Sequence, residues 1–403
     1  MRLIMTERKT LAKATCERYR RGSKKEKGVI LDELVKNTGL NRCYARRSLR
    51  EHGLRVEVKP GIILEGDARI RAPKTRRVTY GPGVVAPLKE LWVMSDYLSG
   101  KRLKPAIAGF IERLEACKEL RLTKAIRAKL LRISSATIDR VLKSERGKQT
   151  LKRRGCTKPG TLLKHQIPIR TFSDWDDLRP GFLEMDLVGH DGGLVYGDNC
   201  FTLDITDVAS GWTEQAAVRN KAQTGVFEAL QALRQRLPFP VLGLDSDNGS
   251  EFINDQMRRF CVAEHITFTR SRPYRKNDNC YIEQKNWSIV RRAIGYARYE
   301  SQAACDMLNE LYRILHDYNN YLIPSMKLKE KLRNGARVLR RYDPAKTPYQ
   351  RLLESPDIKQ DVKDGLTAHY QTLNPAALHR RIRALQKKLP TLATRGEQTK
   401  DTA

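Results

Sequence analysis

Along the first part of the chain, apolar residues recur at helical spacing. Ile30, Leu31, Leu34 and Val35 make one stripe, Gly39 breaks it, and Leu40 anchors a second helix over 42–50 that Asn41 is placed to cap. The same period returns across 84–146, in Leu88, Leu91 and Trp92 and again in Ile107, Phe110, Ile111 and Leu114. Near the end of that block Ser134 or Ser135 caps a helix carrying Thr137, Arg140 and Lys143. At Thr171 the pattern changes. Apolar runs at 182–188, 199–206 and 212–218 read as strands, the last two joined by a turn at 209–211. A helix at 221–237 carries Val226, Phe227, Leu230, Leu233 and Leu237 on one face, followed by a strand at 240–246, a helix at 254–265, a strand at 266–271 and a long helix at 280–299. Another amphipathic helix, 301–322, carries Leu308, Leu311, Ile314, Leu315 and Tyr318. Beyond Pro324 the chain turns basic and turn-rich, then ends in a basic helix at 377–389 and a polar, disordered end.

These patterns divide the chain into blocks. Residues 1–56 form a helix-turn-helix module, 57–83 a Pro/Gly-rich basic linker, and 84–146 a second helical, helix-turn-helix-like module. A basic linker follows at 147–170, then an α/β core at 171–322 and a small basic C-terminal region at 323–403. The core order, βββαβαβα with its antiparallel strands first, is that of the ribonuclease-H-like fold.

Charge sharpens the division. The chain of 403 residues has a net charge of +31, distributed as +27 over 1–170, −4 over 171–300 and +8 over 301–403. A slightly acidic core between basic arms suits an enzyme acting on a polyanion, with arms that hold phosphates. A generic basic protein would account for the arms but not for the patterned acidic middle. Eight cysteines, at 16, 43, 117, 156, 200, 261, 280 and 305, include no Cys-x-x-Cys pair, and the histidines lack zinc-ligand spacing. No apolar stretch approaches the ~18 residues that span a bilayer, and the N-terminus lacks a signal-peptide core, so no membrane partner and a cytoplasmic location, nucleoid-associated when bound to DNA, are expected.

Within the core, three acids stand in telling positions. Asp186 lies inside the strand 182–188, where an ionised carboxylate is costly unless paired or metal-bound. Asp247 ends the strand run 241–247 and precedes Asn248 and Gly249, at the C-terminal strand end where sites form in α/β sheets. Glu283 sits near the start of the long helix, with 35 residues between it and Asp247. Two rivals share faces with them: Glu184 with Asp186, and Asp245 with Asp247. Carboxylates gathered from strand ends and a helix suit a hard divalent cation such as Mg²⁺. The loop 273–279, with Arg275, Lys276 and Asn277, and the helix residues Lys285, Arg291 and Arg292 offer donors and cations for phosphates.

Taken in order, the segments 182–186, 206–212, 246–252, and 272–278 with 282–286 resemble the catalytic core of the retroviral-integrase superfamily, and specifically of DDE-type insertion-sequence transposases. The resemblance covers about a third of the chain strongly. It departs in two places. Many relatives carry Lys or Arg seven residues after the catalytic Glu, and here that position is Val290, with Arg291 and Arg292 just beyond. The zinc-binding front domain of retroviral integrases is also missing, and helix-turn-helix modules stand in its place.

The resemblance implies that Asp186, Asp247 and Glu283 hold two Mg²⁺ ions, with Mn²⁺ as a substitute, and that the site cleaves the 3′ ends of a mobile element and joins them to target DNA. Its implied partners are double-stranded DNA, both terminal repeats and target, and further copies of the chain, at least a dimer on DNA. Base and phosphate contacts then fall to Arg42, Arg46, Arg47 and Arg50 in the first module, to Thr137, Arg140 and Lys143 in the second, and to Arg275, Lys276, Asn277, Lys285, Arg291 and Arg292 in the core. Two alternatives remain: a ribonuclease-H-like nuclease without strand transfer, and a DNA-binding repressor derived from a transposase.

Overall fold

The computed structural model describes residues 3–65, 79–147, 179–194, 197–246, 251–252, 254–270, 280–335 and 337–394. The chain forms two compact units, Met1–Thr79 and Tyr80–Ala403.

In the first unit, helices α1 (Met5–Arg21), α2 (Lys24–Thr38) and α3 (Arg42–Glu51) enclose a small core of Ala12, Cys16, Tyr19, Ile30, Leu31, Leu34, Ala45 and Leu49. Ser23 and Glu26 form a reciprocal capping box at the start of α2. Gly39 closes α2 in the left-handed region at φ 63°, and the Asn41 side chain accepts from the Cys43 amide at 2.9 Å to open α3. The expected linker after residue 56 is in part a hairpin, β1 (Arg55–Lys59) paired antiparallel with β2 (Ile62–Glu65). The β-branched Val56, Val58, Ile62 and Ile63, flanking Pro60 and Gly61, favour that outcome over an irregular linker. The linker expected at 147–170 lies, from residue 148, outside the described residues.

The second unit is built around a mixed five-stranded sheet. Its strands are β3 (Phe182–Gly189), β4 (Phe201–Asp207), β5 (Thr213–Val218), β6 (Gly243–Ser246) and β7 (Thr267–Arg270), in the spatial order β5-β4-β3-β6-β7. β3, β4 and β5 pair antiparallel, while β6 and β7 extend the sheet in parallel from β3. Crossovers through α9 (Gln223–Arg234) and α10 (Asp255–Ala263) lead into β6 and β7. This α/β arrangement is consistent with the ribonuclease-H-like expectation.

One edge of the sheet is closed by side chains. Helix α13 (Gln302–Asp317) and the π-helical turn Tyr318–Leu322 that ends it run along β5. Asn309 bonds both the N–H and the C=O of Ala217, and Asn320 does the same for Thr213, at 2.8–3.0 Å. These two amides occupy the backbone groups that an outer strand would otherwise present.

The long helix expected at 280–299 is shorter and interrupted. It begins as α11 (Cys280–Lys285), passes through a π-helical turn (Asn286–Arg291) and ends with α12 (Arg292–Ile294). Gly295, at φ 84°, stops it. The segment beyond is extended, and Tyr299 links the ends of β3 and β4 through its amide to the His190 carbonyl and its carbonyl to the Cys200 amide.

The helices of 82–146 are α4 (Pro82–Met94), α5 (Gly100–Ala116), α6 (Lys124–Arg132), α7 (Ser135–Val141) and α8 (Lys143–Arg146). Ser134 caps α7, accepting from the Thr137 amide. The apolar sides of α4 and α5 join one core with the sheet and with the C-terminal helices. The C-terminal region is also more structured than its basic composition suggests. A hairpin, β8 (Leu328–Asn334) and β9 (Arg337–Tyr342), precedes α14 (Pro348–Glu354), α15 (Gln360–Thr372) and α16 (Pro375–Lys388). Leu352, Leu366, Leu378, Ile382 and Leu385 from these helices are buried in that shared core. Among the described residues no helix is long and apolar enough to cross a membrane.

Candidate functional site

The sheet brings acids together on one face. Glu184 and Asp186 are two residues apart on β3, so both point to the same side. Register sets Glu184 beside Asp245 of β6 and Asp186 beside Asp204 of β4. Helix α11 packs over this face.

The acids differ in how they are held. Glu184 is fully buried, and its Oε2 accepts the Ile282 amide at 2.7 Å, inside the first turn of α11. Asp245 is buried too, and its Oδ1 accepts the Thr269 hydroxyl. Asp186 is half-buried. Its Oδ1 accepts the Leu187 amide at 2.8 Å and its Oδ2 accepts Asn286 Nδ2 at 2.6 Å. The rivals are thus engaged within the fold, while Asp186 stands at the more open position. Asp247 follows Ser246, the last residue of β6, and lies outside the described residues; Glu283 belongs to α11, and its side chain is not among those described.

Asp204, in the middle of β4, is an acid not singled out by the sequence pattern. It is fully buried, with Oδ1 accepting Gln215 Nε2 at 2.9 Å and the Thr213 hydroxyl at 3.0 Å, and Oδ2 without a hydrogen-bond partner among the described residues. Burial pushes its carboxyl up to about 7, against the pull of those two donors and of Lys285. Lys285 in turn is pushed down to about 8 by burial, partly offset by Asp204. Its ammonium donates to the Gly211 carbonyl at 3.0 Å. Lys285 therefore faces the fold, not an outer surface where a phosphate would lie.

The other cations fall into groups. Arg291 donates to the Gly189 carbonyl at 2.8 Å and lies over the Tyr296 ring, 5.1 Å from its centroid. Arg292 pairs with Asp96, Nε to Oδ2 at 2.6 Å, on the link between α4 and α5. The π-helical turn bears on the departure at Val290. Such a turn takes one residue more than an α-turn, so two turns on from Glu283 falls on Arg291 while Val290 is fully buried. Arg275, Lys276 and Asn277 lie outside the described residues. In α3, Arg42, Arg46, Arg47 and Arg50 are all exposed; Arg42 pairs with Asp32, and Arg47 with Glu51 at 2.9 Å. In α7, the Thr137 hydroxyl meets that of Ser134 at 2.9 Å and Arg140 is exposed; Lys143 is exposed too, but opens the separate short helix α8.

Among the described residues no group of three or more His, Cys, Asp or Glu is placed to hold a metal ion. Two of the three acids expected to form one are incomplete or missing from those residues.

Comparison with known proteins adds the lineage. Over 350 residues the chain is 39% identical to the "Uncharacterized protein y4rM" of Sinorhizobium fredii, a match covering 87% of this chain and 96% of that protein. The chain belongs to the family of y4rM. Residues 177–276 match the family model described as "Integrase core domain", which links the chain to the retroviral-integrase superfamily and supports a DNA-acting enzyme of polynucleotidyl-transferase type. The matched stretch contains Asp186 and Asp247 and ends before Glu283. Among solved structures, the catalytic core domain of BIV integrase is similar at 21% identity and a TM-score of 0.30, covering 43% of this chain and 94% of that one. The catalytic core domain of HTLV-2 integrase in complex with magnesium, trimeric form, is similar at 17% identity and a TM-score of 0.27, covering 36% of this chain and 87% of that one.

Proposed function

We propose that the chain is a DDE-type transposase that binds the ends of a mobile DNA element, cleaves their 3′ ends and joins them to target DNA, with Asp186, Asp247 and Glu283 as its catalytic acids. One observation carries the reading: Asn286, three residues beyond Glu283 on the same helical run, donates to the Asp186 carboxylate. The helix that bears one acid thus docks on the strand that bears another. The parallel register supports the third member, since Met185 pairs with Ser246, and Asp186 and Asp247 are the next residues along the two chains.

The donor set fits a hard cation, being all carboxylate oxygen, and two N–H groups already orient the oxygens of Asp186. Asp186, Asp247 and Glu283 would hold Mg²⁺, or Mn²⁺ in its place, which when bound supplies the polarisation of a phosphodiester and the activation of its attacking hydroxyl. The chain's own part is placement. Asn286 fixes the carboxylate plane of Asp186, and Arg291, held at Gly189 and Tyr296, stands two turns along the helical run from Glu283. Arg275, Lys276 and Asn277 would meet the DNA end from the loop before α11. The exposed arginines of α3 would track phosphates and read base edges of the terminal repeats, joined by Thr137, Arg140 and Lys143. Joining two ends calls for at least two copies of the chain on DNA.

The test is end cleavage and joining with the element's own flanking DNA, Mg²⁺ and a target plasmid. Asp186→Asn should lower both by about 10³-fold or more with DNA affinity unchanged. An Asp186→Asn protein that still cleaves sinks the reading. Cleavage by the native chain with no joined product replaces it with a nuclease.

A further inference from the structure

Three buried acids beside the proposed site, Glu184, Asp204 and Asp245, are engaged within the fold, and Glu184 is engaged in a telling way. Its Oε2 accepts the Ile282 amide, the peptide N–H immediately before Glu283. Two residues along β3, Asp186 accepts from Asn286, four residues along the helix. The two spacings match. Residues i and i+2 of a strand are separated by about 6.6 Å, and residues i and i+4 of a helix rise about 6 Å. One strand therefore grips one helix at two points one turn apart, and Glu283 lies between them.

The first turn of a helix leaves backbone N–H groups without intrahelical partners, and a carboxylate there both accepts a hydrogen bond and meets the positive end of the helix. Such caps usually come from the residue just before the helix. Here the cap comes from a distant strand and is fully buried, a costly place for a carboxylate unless it is bonded. An apolar residue would fill the same space without fixing the rotation of the helix about its axis.

We propose that Glu184 is a positioning residue for the candidate active site: by accepting the Ile282 amide it sets the depth and rotation of the helix that carries Glu283 against the strand that carries Asp186. It acts through the backbone, as a hydrogen-bond acceptor, and not as a ligand of the metal. This inference rests on the transposase reading above.

The experiment compares the full-length native chain with Glu184→Gln and Glu184→Ala. Gln keeps an acceptor oxygen of the same reach, and Ala removes it. The readouts are Mg²⁺-dependent end cleavage, DNA affinity, and hydrogen exchange at the Ile282 amide. Glu184→Ala should lower the cleavage rate by about tenfold or more, raise the Mg²⁺ concentration needed, and leave DNA affinity unchanged. Glu184→Gln should restore the rate to within about threefold of the native chain. Exchange at Ile282 should speed up by about tenfold in the Ala variant and stay close to native in the Gln variant. This last measurement needs no activity. Native-like protection of Ile282 in Glu184→Ala overturns the inference, as does native cleavage by that variant. Equal loss in Gln and Ala overturns it too, because the charge and not the acceptor would then matter. If Glu184→Ala does not fold, the Gln variant decides: loss of Ile282 protection in a folded Gln protein is the overturning result. Failure of the native chain to cleave at all, with Ile282 protection behaving as expected, would sink the transposase reading while leaving the helix-setting contact standing.

Discussion

The helices of residues 5–51 and those of 82–146 carry the same signature, basic and amphipathic with a side-chain cap on a late helix, Asn41 on α3 and Ser134 on α7, yet their apolar sides go to different places. The first set closes on itself around Tyr19, Leu31, Leu34 and Leu49. The second spends Leu88, Leu91, Trp92, Ile107, Phe110 and Leu114 on a core shared with the sheet and with the C-terminal helices. Polar groups follow suit. Arg102 donates to the Pro324 carbonyl at 2.7 Å, Arg113 to the Leu373 carbonyl at 3.1 Å, and the Tyr318 hydroxyl to the Met94 carbonyl at 2.6 Å. A basic helical block can therefore close on a core of its own or share the core of the large unit, and only the destination of its apolar face tells which.

The largest effect should come from the cores. Phe110→Ala should cost about 3–5 kcal/mol by emptying the shared core, and calorimetry should show the main transition of the large unit moving down. Leu34→Ala, at about 2–5 kcal/mol, should move a separate transition belonging to the first unit. One transition that shifts under both substitutions would break the distinction.

Acid should separate the units next. His190 of the large unit is fully buried beside Thr202, and burial, reinforced by Arg291, pushes its imidazole down to about 3 from an ordinary 6.5. A base whose folded value is depressed contributes stability that is complete above the ordinary value and is lost as pH falls toward the folded one. Between pH 7.5 and 4.5 that loss is about 2–3 kcal/mol. Melting curves should show the large unit weakening over that window, and His190→Asn should remove that share of the change. An unchanged acid profile in the variant would assign the sensitivity elsewhere.

The smallest effect is on stability at the surface of α3. Arg46→Ala should alter stability by no more than about 0.5 kcal/mol while reducing the salt dependence of DNA binding by about one counterion. A salt slope identical to the native one would remove Arg46 from the DNA interface.

Much of this architecture could be read from residue order, because it follows from local rules. Apolar runs marked the strands that became β3, β4 and β5, and Gly39, Asn41 and Ser134 marked helix ends that their backbone and side-chain bonds now explain. The π-helical turn at Asn286–Arg291 left no such mark, since a change of hydrogen-bond register within a helix alters no residue type. The helices α14 to α16 were diluted by charges on their outer sides, so only the last, basic one stood out. At the site, alternation placed Glu184 and Asp186 on one face but could not rank them. Their ranking comes from partners remote in sequence, Ile282 for one and Asn286 for the other. Asp204 was passed over because an acid in a strand has no meaning until its cross-strand neighbour is known.

The amides of Asn309 and Asn320 have a consequence for how copies of this protein can assemble. An exposed strand is a template on which a second chain can build, and templating is the route to both sheet-continuing dimers and aggregation. At β5 the template positions Thr213 and Ala217 are already filled from within the same chain. Any assembly that gathers several copies on DNA must therefore be made through helices, hairpins or the DNA itself, and not by adding strands at that side.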